Sequence, residues 1–394
     1  MINEKMMGLG KKRSVIREIF EYGNKRRAEI GAENVFDFSL GNPSIPAPKE
    51  VNEVMVKLLT EKDPVMLHGY TSAQGAPAVR KAIADNINER FGIGATPDLL
   101  YMTCGAAASL TISLTAICNE GDEVIVLAPF FPEYRVFAEK ANATVKVVKC
   151  RESDLQIDFS ALNNAITNKT KAIIVNSPNN PSGVVLSEET IKELAELLNA
   201  KQEEFGNEIY IIADEPYREL VYGGVKVPYI PNYYDNTLVC YSYSKSLSLP
   251  GERIGYIFVS PKVKDCGDIY AAVCGAGRAL GFVCAPSMLQ FAVSEVQGMT
   301  SDISIYEKNR NLLYNALTEY GFNVVKPDGA FYLFMKSPES DANAFCEKAK
   351  KYELLIVPGD DFGYEGYVRI SYCVKTEMIE KSLPSFKKLI EEYR

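Results

Sequence analysis

Between about residues 97 and 260, short apolar runs alternate with stretches of helical period. LLYMTC leads into AAASLTISLTAIC, and then come DEVIVLA, TVKVVKC, KAIIVN, EIYIIADE, TLVCYSYSK and RIGYIFVS. Strand-length runs alternating with helices predict an α/β layer around a largely parallel sheet. EETIKELAELLNAKQEEF, residues 188–205, sits between two of these runs as a crossover helix should. A long helical region is expected at about 262–298. After about 305 the pattern becomes helix, then GFNVVKP and AFYLFMKS, helix, then LLIVPG and YVRISYC, and a final helix. The chain therefore reads as a large domain over 49–300 and a smaller α+β domain made of 1–48 and 301–394. No internal repeat or low-complexity segment interrupts this pattern.

Composition narrows the functional classes. With 394 residues, 47% of them apolar, the chain can bury a large core and is not a disordered segment. The net charge of −8 gives no general basic field, and no Lys/Arg run exceeds KKR at 11–13, so nucleic acid is not an expected partner. Nine cysteines, odd in number and without a CxxC pair, fit reduced thiols in a cytoplasmic protein. MINEKMMGLGKKR lacks the apolar core of a signal peptide, and no apolar run approaches the roughly 20 residues of a membrane span. The sole histidine, His68, weakens both a Ser-His-Asp hydrolase and a histidine-based metal site, and no metal is expected. A structural role is expected for His68.

In an open α/β sheet, ligands bind beyond the carboxyl ends of the strands. Four such ends stand out here. EIYIIA finishes in Asp214, with Tyr217 three residues on; KAIIV finishes in NSPNNPSG; LLYMTC opens into Gly105, Ala106 and Ala107; TLVCYSYS finishes in Lys245. Each has a plain reading: a helix N-cap for Asp214, a turn, a tight connection, a solvated lysine. One ligand would use all four. The start of a helix at Gly105 offers amides and a positive dipole end to a phosphate, which Ser242 and Arg253 could complete. A lysine held beside it can become a nucleophile toward an aldehyde, and a nearby carboxylate would serve a protonated ring nitrogen. Phosphate, aldehyde and pyridinium together describe pyridoxal phosphate.

The residues that carry these readings resemble the class I and II aminotransferases of pyridoxal-phosphate fold type I, from LGNPS at 40–44 through VRISY at 368–372. SxSK followed eight residues later by Arg, NSPNNPSG and ADEPY occur in that family's order and spacing. The resemblance implies a mostly parallel seven-stranded sheet in the large domain and a Schiff base on Lys245, which then moves a proton. Asp214 would hold the ring nitrogen protonated, with Tyr217 and Asn180 on the phenolic oxygen. Ser242, Ser244 and Arg253, with the backbone of Gly105, Ala106 and Ala107, would hold the phosphate, and Phe131 in APFFPEY would stack on the ring. Arg369 would pair with the substrate α-carboxylate, assisted by Asn180 and Gly41, and Tyr332 in GAFYLF lies where the family often has a substrate-facing aromatic. Tyr70 in HGYTSAQG would reach the phosphate of a neighbouring subunit, which implies a homodimer.

The implied activity is ping-pong transfer of an amino group between an L-amino acid and a 2-oxo acid. Arg278 in GAGRALGF lies roughly where dicarboxylate-specific members carry a second arginine, so aspartate specificity is suggested. Three other outcomes compete. A β-lyase acting on a cysteine-like substrate would use the same residues. A nicotinamide oxidoreductase would need a GxGxxG after a strand, and GAGRALG has the wrong spacing and follows a helical pattern. A non-catalytic ligand sensor would not need the set Lys245, Asp214 and Arg369.

Overall fold

The computed structural model of the chain describes residues 2–11 and 14–394; Lys12 and Arg13 of the KKR run lie outside the described residues. Two compact units emerge, one of residues 45–303 with 328–330, the other of 1–44, 304–327 and 331–394.

The first unit is built on seven strands: β1 (Leu100–Thr103), β2 (Glu123–Ala128), β3 (Thr144–Lys149), β4 (Thr170–Asn176), β5 (Tyr210–Asp214), β6 (Thr237–Ser242) and β7 (Gly255–Val259). Their order across the sheet is β1-β7-β6-β5-β4-β2-β3. All neighbours are parallel except β7, which runs against both β1 and β6. The continuous Val/Ile/Leu runs follow from burial on both faces: every residue of β5, β6 and β7 is buried. TVKVVK differs because β3 closes the sheet, and an edge strand carrying lysines resists pairing with another chain.

Local chemistry sets the helices. Glu188–Phe205 forms the expected crossover; Ser187 accepts from the Thr190 amide at 3.1 Å, Glu188 and Glu189 occupy the positive first turn, and Gly206 ends it at φ +70°. Ile191, Leu194 and Leu198 form its buried stripe. The helical region expected over 262–298 consists of two helices, Cys266–Leu280 and Ser287–Glu295. Gly281 at φ +78° ends the first, and Pro286 stands immediately before the second, so a turn separates them.

The second unit carries a four-stranded antiparallel sheet in the order Val357–Pro358, Tyr367–Ser371, Tyr332–Lys336, Asn323–Val325. A short parallel pair joins Phe36–Asp37 to Leu354–Leu355. Phe386 of the helix Thr376–Glu391 packs on Phe38 and Phe322, at ring separations of 5.8 and 6.4 Å, in the core of this unit. Among the described residues no helix is long and apolar enough to cross a membrane.

Candidate active site

Register decides which side chains meet in the first unit. Asn176 at the end of β4 pairs with Asp214 at the end of β5, and Asp214 pairs with Cys240 of β6. Gly255, where the antiparallel β7 begins, pairs with Ser242 of β6 and Thr103 of β1. The strands therefore deliver Asp214, Tyr217, Asn180, Ser242, Ser244, Lys245, Gly105, Ala106, Ala107 and Arg253 to one edge of the sheet, and Phe131 follows β2 at the same edge.

Asp214 is the electrostatic centre of this edge. Its Oδ2 accepts from Tyr134 Oη at 2.5 Å, while Oδ1, buried, has no hydrogen-bond partner among the described residues. Burial pushes the carboxyl up to about 7, the Tyr134 bond opposes that rise, and the neighbouring Glu215 adds to it. Asp214 caps no helix, so the capping alternative is set aside. Tyr134 escapes motif reading although it lies in APFFPEY; Phe131, three residues earlier, meets its ring edge-on at 5.7 Å. Asn176, also missed, donates to the Asp214 carbonyl at 2.8 Å and accepts from the Asn180 amide at 2.8 Å. A buried asparagine at the last position of a strand was the available signal. Asn180 and Tyr217 are both buried. NSPNNPSG is indeed a turn, closed by Asn179 Oδ1 on the Ser182 amide and hydroxyl.

At the other end of this edge, Gly105 adopts φ +89°, ψ 174°, a region essentially reserved for glycine, and starts the helix Ala106–Ile117. The first amides of a helix have no acceptor within it. Arg253, itself at φ +54°, donates through Nη2 to the Cys104 carbonyl at 3.2 Å and through Nη1 to the Pro250 carbonyl at 2.8 Å, with Ser244 Oγ 3.5 Å from Nη1. A Cβ on Gly105 would fall 2.7 Å from Arg253 Nη2. Ser242 caps the one-turn helix Tyr243–Ser246, accepting from the Ser244 amide at 3.2 Å, and the two hydroxyls lie 2.8 Å apart. Lys245 is half-buried with buried neighbours on either side, unlike a solvated lysine.

In the second unit, Arg369 lies in the strand Tyr367–Ser371 and is 3% exposed. Its Nη2 donates to the Ser39 carbonyl at 2.5 Å, and its guanidinium carbon lies 4.8 Å from the Tyr332 ring centre and 5.0 Å from that of Phe362. Asp37 holds Ser39 through its amide and hydroxyl and is itself paired with Arg27 at 2.6 Å. This support for Arg369 was not read from the sequence, because it joins segments 330 residues apart. Gly41 admits no side chain: a Cβ there would run into the Tyr332 hydroxyl.

His68 and Arg278 are exposed, each at the C-terminal end of its helix, and Tyr70 is 99% exposed.

Residues 33–386 match the family model described as aminotransferase class I and II. The chain belongs to the class I and II aminotransferases. A probable aspartate aminotransferase of Methanocaldococcus jannaschii is 32% identical over 96% of this chain and 98% of its own. An aspartate aminotransferase of Thermotoga maritima is 32% identical over 93% and 95%. The crystal structure of an aminotransferase from Eubacterium rectale superposes with a TM-score of 0.99 at 57% identity, covering 100% of this chain and 99% of that one. The protein is thus an aminotransferase of the aspartate-aminotransferase-like fold type I, and its mostly parallel seven-stranded sheet is the one the motifs implied. The edge described above brings together a lysine, a buried carboxylate oxygen without a hydrogen-bond partner among the described residues, and a helix start beside an arginine.

Proposed function

We propose that this aminotransferase holds pyridoxal phosphate at the β4–β6 edge and moves the amino group of a dicarboxylic L-amino acid, aspartate foremost, to a 2-oxo acid acceptor such as 2-oxoglutarate, working as a cytoplasmic homodimer. Asp214 Oδ1 carries the cofactor reading: a buried carboxylate oxygen without a partner among the described residues calls for a cationic donor, and a protonated ring nitrogen is one. The cradle at Gly105, which a Cβ would fill, fits a phosphate in the same way.

When bound, pyridoxal phosphate supplies an aldehyde for amino groups and a ring that draws electrons from the substrate Cα. The chain's own residues do the rest. Asp214 would keep a proton on the ring nitrogen, with Tyr134 holding the carboxylate. Tyr217 and Asn180 would hold the phenolic oxygen, and Phe131 would cover the ring. Arg253, Ser242 and Ser244, with the amides of Gly105, Ala106 and Ala107, would bind the phosphate. Lys245 Nζ would hold the aldehyde carbon, releasing water, and when free would accept the proton from the substrate Cα. Arg369 would bind the α-carboxylate as a planar fork, its guanidinium near the Tyr332 and Phe362 rings, with Gly41 beside Tyr332. The names of the relatives from M. jannaschii and T. maritima support aspartate as donor. Tyr70 supports the homodimer, since a tyrosine 99% exposed lies beside exposed Val65 and Met66 in a surface suited to a second subunit.

The test is the visible spectrum of the protein with added pyridoxal phosphate while glutamate, aspartate and an aromatic amino acid are supplied in turn, with Lys245→Ala as control. A visible band that aspartate bleaches and a 2-oxo acid restores is the expected result. A band that only an aromatic donor bleaches would overturn the dicarboxylate reading, and no band in the wild type would overturn the cofactor reading.

A further inference from the structure

Behind the edge that carries Lys245 lies a second polar layer to which no motif points. The segment bearing Asp214 and Tyr217 continues into Arg218 and Glu219. Glu219 Oε1 accepts from Arg90 Nη1 at 3.0 Å, and its Oε2 lies 2.9 Å from Tyr241 Oη. Tyr241 Oη also lies 2.9 Å from the hydroxyl of Ser246, the residue next to Lys245. A phenol has one proton and an ionised carboxylate only accepts, so Tyr241 donates to Glu219 and the Ser246 hydroxyl donates to Tyr241. The Glu219–Tyr241–Ser246 links are shielded from water, with side-chain exposure 10% for Glu219 and Tyr241 and Ser246 buried, while Arg90 closes the chain at the surface with its side chain 33% exposed.

The surroundings restrict this chain to one arrangement. Tyr241 stacks on Tyr256 at 5.0 Å and meets Tyr243 edge-on at 5.1 Å; Gln297 Nε2 donates to Tyr243 Oη at 2.8 Å, and the Ser301 amide donates to the Ser246 carbonyl at 2.8 Å. Arg90, Glu219, Tyr243 and Tyr256 are the titratable side chains facing Tyr241 from the packed elements. Buried ionic groups seldom add stability over apolar packing, because desolvation offsets their attraction. A chain of such bonds does define distance and angle between the elements it joins.

We propose that the Arg90–Glu219–Tyr241–Ser246 chain positions Lys245: it ties the turn carrying the lysine to the segment carrying Asp214 and Tyr217, so that the lysine nitrogen and the ring-facing carboxylate hold one mutual geometry. Glu219, Tyr241 and Ser246 are positioning residues acting from the side of the turn away from the cofactor. The inference rests on the cofactor reading of Lys245 and Asp214 given above.

The decisive experiment compares wild type with Tyr241→Phe, Ser246→Ala, Glu219→Ala and Glu219→Gln. For each, four quantities are measured: the melting temperature of the apoprotein, the pH midpoint of the visible band after loading with pyridoxal phosphate, and kcat and KM for the amino donor. Tyr241→Phe keeps the ring packing and removes both bonds. Its midpoint is expected to move by about half a pH unit or more, with kcat falling about tenfold and KM changing less than about twofold, the pattern of lost geometry at the reacting centre. Glu219→Ala should behave likewise, and Glu219→Gln, which keeps an acceptor, should recover most of the loss. A wild-type midpoint and kcat in Tyr241→Phe, whatever its melting temperature, would sink the proposal. If Tyr241→Phe does not fold, Ser246→Ala breaks the same link with a smaller change and is judged by the same two outcomes. A wild-type protein without the visible band, or a Lys245→Ala protein that retains it, overturns the cofactor reading beneath the proposal and the proposal with it.

Discussion

Asp214 is a residue whose ionisation the fold works against. Its carboxyl is raised to about 7 in the protein without cofactor, mainly by burial. In the unfolded chain the same group loses its proton near 4, so from there upward the unfolded state is favoured and stability is lost until about pH 7. The gap corresponds to on the order of 4 kcal/mol. Thermal melts of the apoprotein at pH 5, 6 and 8 should therefore show wild type losing stability with rising pH by more than Asp214→Asn does; equal slopes would contradict it. With a cationic partner on Oδ1 the balance reverses, because the charged form is then the stabilised one. Tyr134→Phe removes the hydrogen bond that Asp214 Oδ2 accepts and should weaken pyridoxal phosphate binding about tenfold or more, by a spectroscopic titration, since a lost bond to a charged group is worth about 1.5–3 kcal/mol. Asp214 was legible because it ends an apolar strand in a charge. Tyr134 was not, because nothing in APFFPEY says which aromatic has its hydroxyl inside.

At the scale of elements, the start of the helix Ala106–Ile117 is the most constrained joint. Gly105→Ala meets two obstacles, a backbone region that side chains avoid and a contact with Arg253, so something must shift. Fluorescence or absorbance titration with pyridoxal phosphate should show affinity falling more than about tenfold, with destabilisation of about 1–3 kcal/mol in denaturant melts. A different joint tests packing alone. Leu198 on the crossover helix is 0% exposed, and Leu198→Ala should cost about 2–5 kcal/mol while leaving cofactor affinity in the surviving folded protein unchanged. Strand and crossover positions were readable because short apolar runs and a capped amphipathic helix are local signals. The break at 281–286 is signalled by Gly281 and Pro286 and not by the apolar pattern, which reads there only as one helical region.

At the scale of the whole molecule, the exposed side chains of Val65, Met66 and Tyr70 bear on assembly. Sedimentation should give a dimer for wild type. Met66→Glu, which sets a charge into the apolar patch, should shift the species toward monomer, and Tyr70→Phe should leave the dimer intact while weakening cofactor binding severalfold. A monomeric wild type with full cofactor affinity would remove the homodimer from the proposal.

The sequence by itself determined the alternation of strands and helices, the family, and the polar residues that end the strands, because period, turn chemistry and motif spacing are local properties of the chain. Only the tertiary structure decided which distant side chains stand behind those residues: Tyr134 under Asp214, the Asp37–Ser39 support of Arg369, and Glu219 with Tyr241 behind Lys245. Such pairings depend on sheet register and strand order, which bring segments far apart in sequence to hydrogen-bond distance.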